Sequence, residues 1–360
     1  MTSRHAVLSR VRLLVIGSCC FLTAAAQDLS HQRTAKEIDA LVREAKVERD
    51  SGQTVEAEDL LRKALAADPQ SVPANNALGD LLFQRRRFPE AMERFEAVLQ
   101  VSPRDAEARS GEEKAALALA LHYKASGDAD SCVRTLEHAS AEVPGDVVLL
   151  TDLGIQQQQM GRLKSARETL KAALATGPED PKAMYALGRV AMDLQDFPAA
   201  EQQFRAYLRL RPNDATAHYG LGRVFQMQQR TDAAAKEFET SLQLQPEQAE
   251  SRFQLGQMAM EANRDAEAAS DFQQVVERVP SHGGALTGLG FLAYRRKNYT
   301  DAERWLSRAI AASPDYQPAH YYLGLTLRRL GRQQESEREL RVATDLVRKQ
   351  QDKSAPVPAP

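Results

Sequence analysis

The chain has 360 residues, with 47 Lys and Arg against 49 Asp and Glu and a formal net charge of −2. The first 26 residues carry three arginines and no acid, so the remainder stands at −5 with both signs interspersed. A mildly acidic body without a basic stripe argues against nucleic acid as a partner, and three cysteines, two of them adjacent at Cys19 and Cys20, argue against a disulfide framework.

The first predicted element is a targeting segment. Arg4, Arg10 and Arg12 precede the apolar run Leu13 to Leu22, which is followed by Ala24-Ala25-Ala26 and the polar Gln27. This is the charged, apolar, small-residue order of a secretory signal, predicting a signal peptide over 1–26 and a lead-in over 27–37. A run of about ten residues is too short to span a bilayer, so no membrane span is expected in the mature form. The alanine-rich site resembles bacterial signals and points to the periplasm. An uncleaved anchor, or lipoprotein anchoring at Cys19 through Ile16-Gly17-Ser18, is the alternative.

Length alone predicts two or three domains, but an internal period overrides it. Leu153-Gly154, Leu187-Gly188, Leu221-Gly222, Leu255-Gly256, Leu289-Gly290 and Leu323-Gly324 stand 34 residues apart. A small residue follows each glycine by twelve positions (Ala166, Ala200, Ala234, Ala268, Ala302, Ser336), and a large apolar one by sixteen (Leu170, Phe204, Phe238, Phe272, Leu306, Leu340). Proline follows by twenty-four in the first five copies, from Pro178 to Pro314. Apolar positions between these marks fall at helical steps, so each unit predicts two amphipathic helices, the second closed by proline. The register extends backwards through Gly79, Ala91, Phe95 and Pro103, and through Ala45, Ala57, Leu61 and Pro69. A degenerate unit is marked by Ala120, Cys132, Leu136 and Pro144.

The predicted units are therefore 38–71, 72–105, 113–146, 147–180, 181–214, 215–248, 249–282, 283–316 and 317–350. Residues 106–112 form a seven-residue insertion. Seven residues turn a helix through nearly two full turns, so a longer helix with Asp105 as N-cap preserves its apolar face, while Ser110-Gly111 argues for a short loop. The last helix, rich in Arg and Glu, reads as a polar cap, and 351–360, ending in Lys-Ser-Ala-Pro-Val-Pro-Ala-Pro, reads as a disordered tail.

This Gly-Ala-Phe-Pro pattern resembles the tetratricopeptide repeat. The resemblance implies an all-α, right-handed α-solenoid of about nine helix-turn-helix repeats. It departs at the tryptophan expected four residues before each glycine, where Leu150, Met184, His218, Arg252, Leu286 and His320 stand instead. The resemblance also implies a concave groove lined by the first helix of each unit. Carried onto this chain, the groove positions include Tyr185, Arg189, Tyr219, Arg223, Phe253, Gln257, Phe291, Tyr294, Tyr321 and Arg328. Aromatics supply contact area at low entropic cost and arginine supplies forked donors, so these residues predict a surface for an extended or helical protein segment. The alternative is that the aromatics fill contacts between units.

No constellation for catalysis, metal or cofactor binding stands out. The histidines are scattered, no Cys-x-x-Cys, Gly-x-Ser-x-Gly or phosphate loop is present, and the acids read as solvated outer faces. The expected function is that of a non-enzymatic scaffold or adaptor in the bacterial envelope that takes a protein or peptide partner and needs no cofactor. Its rivals are a binding module for a small ligand or polysaccharide and a regulatory subunit of an enzyme complex.

Overall fold

The computed structural model describes residues 35–354. The expected signal peptide, Cys19 and the tail from 355 onward lie outside the described residues. Every described element is an α-helix, and the helices come in pairs separated by short turns. In the body up to Ala183 the pairs are α1 (35–50) with α2 (Thr54–Ala67), α3 (Val72–Gln84) with α4 (Phe88–Val101), α5 (Ala106–Ser126) with α6 (Ala129–Glu142), and α7 (Val147–Gln159) with α8 (Leu163–Thr176). The body from Met184 takes most of α9 (Pro181–Asp193), paired with α10 (Phe197–Leu210), then α11 (Ala215–Met227) with α12 (Thr231–Leu244) and α13 (Ala249–Glu261) with α14 (Asp265–Arg278). It closes with α15 (Gly283–Arg295) and α16 (Tyr299–Ala312), then α17 (Gln317–Arg329) and α18 (Gln333–Ser354). The first helix begins at residue 35, inside the predicted lead-in, and the last runs to Ser354, into the predicted tail.

The turn inside each pair uses one device. At a fixed place in the unit the backbone enters the left-handed region, through Gly52, Gly127, Gly161 and Gly331 and, with side chains, through Arg86, Gln195, Gln229, Asn263 and Lys297. Glycine takes this conformation freely, whereas other residues bear about 1 kcal/mol. The bonds that close the helix offset that cost: Gln195 N donates to Met192 O at 2.9 Å and Asp196 N to Ala191 O at 2.8 Å.

The recurring glycine and phenylalanine meet in the core. Phe272 on α14 is fully buried, and a Cβ added at Gly256 of the same pair, or at Gly288 of the next, would come within 2.8 or 2.5 Å of its ring. Phe95 stands likewise between Gly79 and Gly111, and Phe204 between Gly188 and Gly220. One ring thus locks three helices, and a side chain at either glycine would force them apart.

Gly111 corrects the predicted place of the insertion. It stands 34 residues after Ala77 and packs on Phe95 as Gly220 packs on Phe204, so the period continues unbroken through 106–111. The extra two turns lie inside α5, between Gly111 and the buried Ala120 that joins Leu136 of α6 in one core cluster. Residues 106–112 are helical, and the Asp105 carboxylate caps them by accepting from Ala108 N at 2.8 Å.

A polar clamp also recurs. The arginine opening a second helix reaches the acid in the first turns of the preceding second helix, as Arg87 to Glu58, Arg230 to Glu201 and Arg332 to Glu303. Exposed pairs of this kind contribute little each, but Glu58 is buried and receives Arg62, Arg85 and Arg87 together.

Two acids overturn the expectation that acidic residues lie on solvated faces. Glu58 is one, satisfied by its arginines. Glu112 is the other: it is 0 % exposed, and neither carboxylate oxygen has a hydrogen-bond partner. Burial first, then the like charges of Glu96 on α4 and Glu142 on α6, push its carboxyl up to about 8. Glu112 is therefore mostly protonated at pH 7.

Candidate functional site

The predicted groove residues all belong to the body from Met184, on the first helices of its pairs. At one unit position, three residues before the glycine, the side chains are Tyr185, Tyr219, Phe253, Thr287 and Tyr321. The helical period sends this position partly inward, and the aromatics roof the core phenylalanine of their own pair. Ring centroids lie 5.6 Å apart for Tyr185 and Phe204, 5.9 Å for Tyr219 and Phe238, and 5.8 Å for Phe253 and Phe272. Each is half-buried. The aromatics therefore serve the packing and still show one edge to solvent.

Their surroundings differ along the array. Tyr185 also meets Tyr207 at 5.4 Å, and burial pushes its phenol up. The Tyr207 hydroxyl donates to Asp214 Oδ2 at 2.5 Å, and burial followed by that bond pushes Tyr207 up to about 12. Phe253 leans on the His282 ring at 4.7 Å. Phe291 meets Tyr322 at 4.7 Å, Tyr321 meets Tyr322 edge-on at 5.3 Å, and the Arg295 guanidinium covers Phe291 at 5.4 Å. Tyr294 meets Tyr299 at 5.7 Å, and its hydroxyl accepts from Arg329, holding that guanidinium above its usual value. Tyr321 is 43 % exposed. The structure thus brings Phe291 and Tyr321 together through Tyr322, which sequence reasoning passed over because it fell outside the carried-over positions.

The arginines separate into two kinds. Arg252 pairs with Asp271, and Arg295 donates from Nε to Asp265 Oδ2 at 2.9 Å and from Nη1 to Asn263 Oδ1 at 3.2 Å; both tie a first helix to a second. Arg189 and Arg328 are exposed and have no carboxylate partner among the described residues. Among the described residues the half-buried Arg223 is bonded only to the Tyr219 hydroxyl at 3.3 Å, and its Nε has no partner. Gln257 is half-buried on the same face. The two histidines at the tryptophan position are structural: His218 bonds Glu237 and Pro212 O, and His320 bonds Glu339 and Pro314 O, each joining its first helix to its second and to the loop before it.

Among the described residues no group of three or more His, Cys, Asp or Glu is arranged to hold a metal ion, and no helix is long and apolar enough to cross a membrane. Cys132 is a buried free thiol on α6, raised by burial.

Helix pairs closed by one turn device, with one ring locked between glycines of successive pairs, define an all-α helical-repeat protein. Family models of the tetratricopeptide repeat match residues 48–114 and, in overlapping pairs of units, residues 151–317, and the chain belongs to the tetratricopeptide repeat family. No curated protein matches the sequence. Among solved structures, pilF of Pseudomonas aeruginosa is similar at 18 % identity and a TM-score of 0.52, over 59 % of this chain and 96 % of that one. The Cut9–Hcn1 hetero-tetramer of the APC/C is similar at 17 % identity and 0.51, over 81 % of this chain and 58 % of that one. MamA of Desulfovibrio magneticus RS-1 aligns at 22 % identity and 0.44, over 48 % and 97 %. These likenesses concern the fold.

Proposed function

We propose that the protein is a non-enzymatic scaffold that holds a protein segment on the first-helix face of the body from Met184, and that it works in the bacterial envelope. One observation carries the reading of the face. An aromatic edge recurs with an arginine one turn further on, Tyr185 with Arg189 and Tyr219 with Arg223, and these arginines lack the carboxylate partners that Arg252, Arg230 and Arg332 have. Arginines that only held the stack together would be paired as those are. Forked donors left open beside aromatic edges suit a polypeptide, which offers both carboxylate or carbonyl acceptors and apolar side chains. The envelope location rests on the order of Arg4 to Ala26.

The test is capture of partners from an envelope fraction by the wild type and by Arg189→Glu/Arg223→Glu. Arg189 is exposed and Arg223 half-buried at the edge of the packing, so the variant keeps its helical content and loses no more than about 1 kcal/mol of stability, yet loses the captured protein. Capture that survives the double substitution assigns the two arginines to packing alone.

A further inference from the structure

The first helices of the two bodies lean to opposite charge. In the body up to Ala183, α1, α3, α5 and α7 carry ten acids against seven basic residues, and α3 and α7 hold Asp80 and Asp152 with no basic residue. In the body from Met184, the first helices carry Arg189, Arg223, Arg252, Arg295, Arg328 and Arg329 against Asp193, Glu250 and Glu261, and α11, α15 and α17 have no acid. Among the second helices of this body the acidic excess is greatest on α14, which holds Asp265, Glu267, Asp271 and Glu277 against Arg278. Such sorting does not come from stacking, because the stacking clamps need both signs at each junction and already have them in Arg230–Glu201 and Arg332–Glu303.

The open cations stand beside rings. Arg329 lies on the Tyr294 hydroxyl next to Tyr299, Arg328 is its exposed neighbour, and Tyr321 presents 43 % of its surface on the same helix. Arg223 lies on Tyr219 with Nε unpartnered although buried. A ligand with carboxylates alone would leave the rings unused, and an apolar one would leave the guanidinium groups desolvated without a counter-charge.

We propose that the partner of this face is an acidic protein segment, one in which Asp or Glu alternate with aromatic or aliphatic side chains, seated with its carboxylates on Arg223, Arg328 and Arg329. This rests on the reading of the face as a protein-binding surface and names the class of its occupant. The sign of the face selects against basic segments, and the acidic α14 beside it repels polyanions long enough to overrun it.

The experiment selects peptides from a random displayed library on the full chain and on Arg328→Glu/Arg329→Glu, with circular dichroism as the check on folding. The wild type is expected to enrich Asp and Glu about threefold or more over the starting library, together with aromatic or aliphatic residues, and the reversed variant to lose that enrichment. Affinity for a selected peptide is also expected to fall about tenfold as salt rises from about 50 to about 500 mM, a reading that stands even where the variant does not fold. Selected peptides with neutral or basic composition overturn the acidic assignment and leave the protein-binding surface intact. No selection by the wild type overturns both. Displacement of the peptide by heparin or single-stranded DNA at matched charge shows a general polyanion surface and overturns the assignment.

Discussion

Wild-type stability falls as pH rises from about 5 to about 8, and Glu112→Gln removes most of that fall. Glu112 binds its proton far more tightly folded than unfolded, where its carboxyl titrates near the ordinary 4.5 instead of about 8. Below the ordinary value both states are protonated and the stability is complete. Between the two values only the unfolded state releases the proton, so each step in pH favours unfolding, and above about 8 the loss is complete. The distance between the two values sets a ceiling of about 5 kcal/mol. The groups facing the carboxyl, Glu96 on α4 and Glu142 on α6, are acidic and oppose its ionisation further. Glutamine keeps the shape and cannot ionise. Burial also raises Asp80, Glu113 and Asp271, and these remain in the variant, so a shallower decline persists. Denaturant midpoints for both proteins across this range check the expectation; parallel pH profiles would contradict it.

The second large effect is at the ring that locks three helices. Phe272→Ala empties a fully buried site and is expected to cost about 3–5 kcal/mol, and Gly288→Leu, whose Cβ alone would meet that ring at 2.5 Å, about 1–3 kcal/mol. The double variant is expected to be more stable than the sum of the two losses predicts, because the leucine enters the volume that the phenylalanine leaves. Urea unfolding of the four proteins closes the cycle, and strict additivity would show that the two residues do not share one space.

The helix pairs were legible because the period is carried by residues with one packing role each: Gly256, Ala268 and Phe272 mean the same thing in every copy. What escaped was information that single positions carry by contact. Gly111 looked like a loop signal beside Ser110, and only its approach to Phe95 shows that it continues the period and that the extra turns follow it. Glu112 was read as surface because most glutamates are, although Ala108, Ala115 and Ala116 around it already traced a buried stripe at helical spacing. The aromatic and arginine positions along the first helices were legible from the period, but the division into arginines bound to acids and arginines left open depends on Asp265 and Asp271 of the second helices, which no spacing within the first helices discloses.

The most direct test of the account places a photo-reactive benzophenone side chain at Met227 or Gln257 on the first-helix face and, as the comparison, at the exposed Gln274 on α14. Irradiation in whole cells is expected to give protein adducts from the first two positions and none from the third. Equal adducts from Gln274, or none from Met227 and Gln257 in a folded chain, would contradict the claim that the first-helix face holds a protein segment.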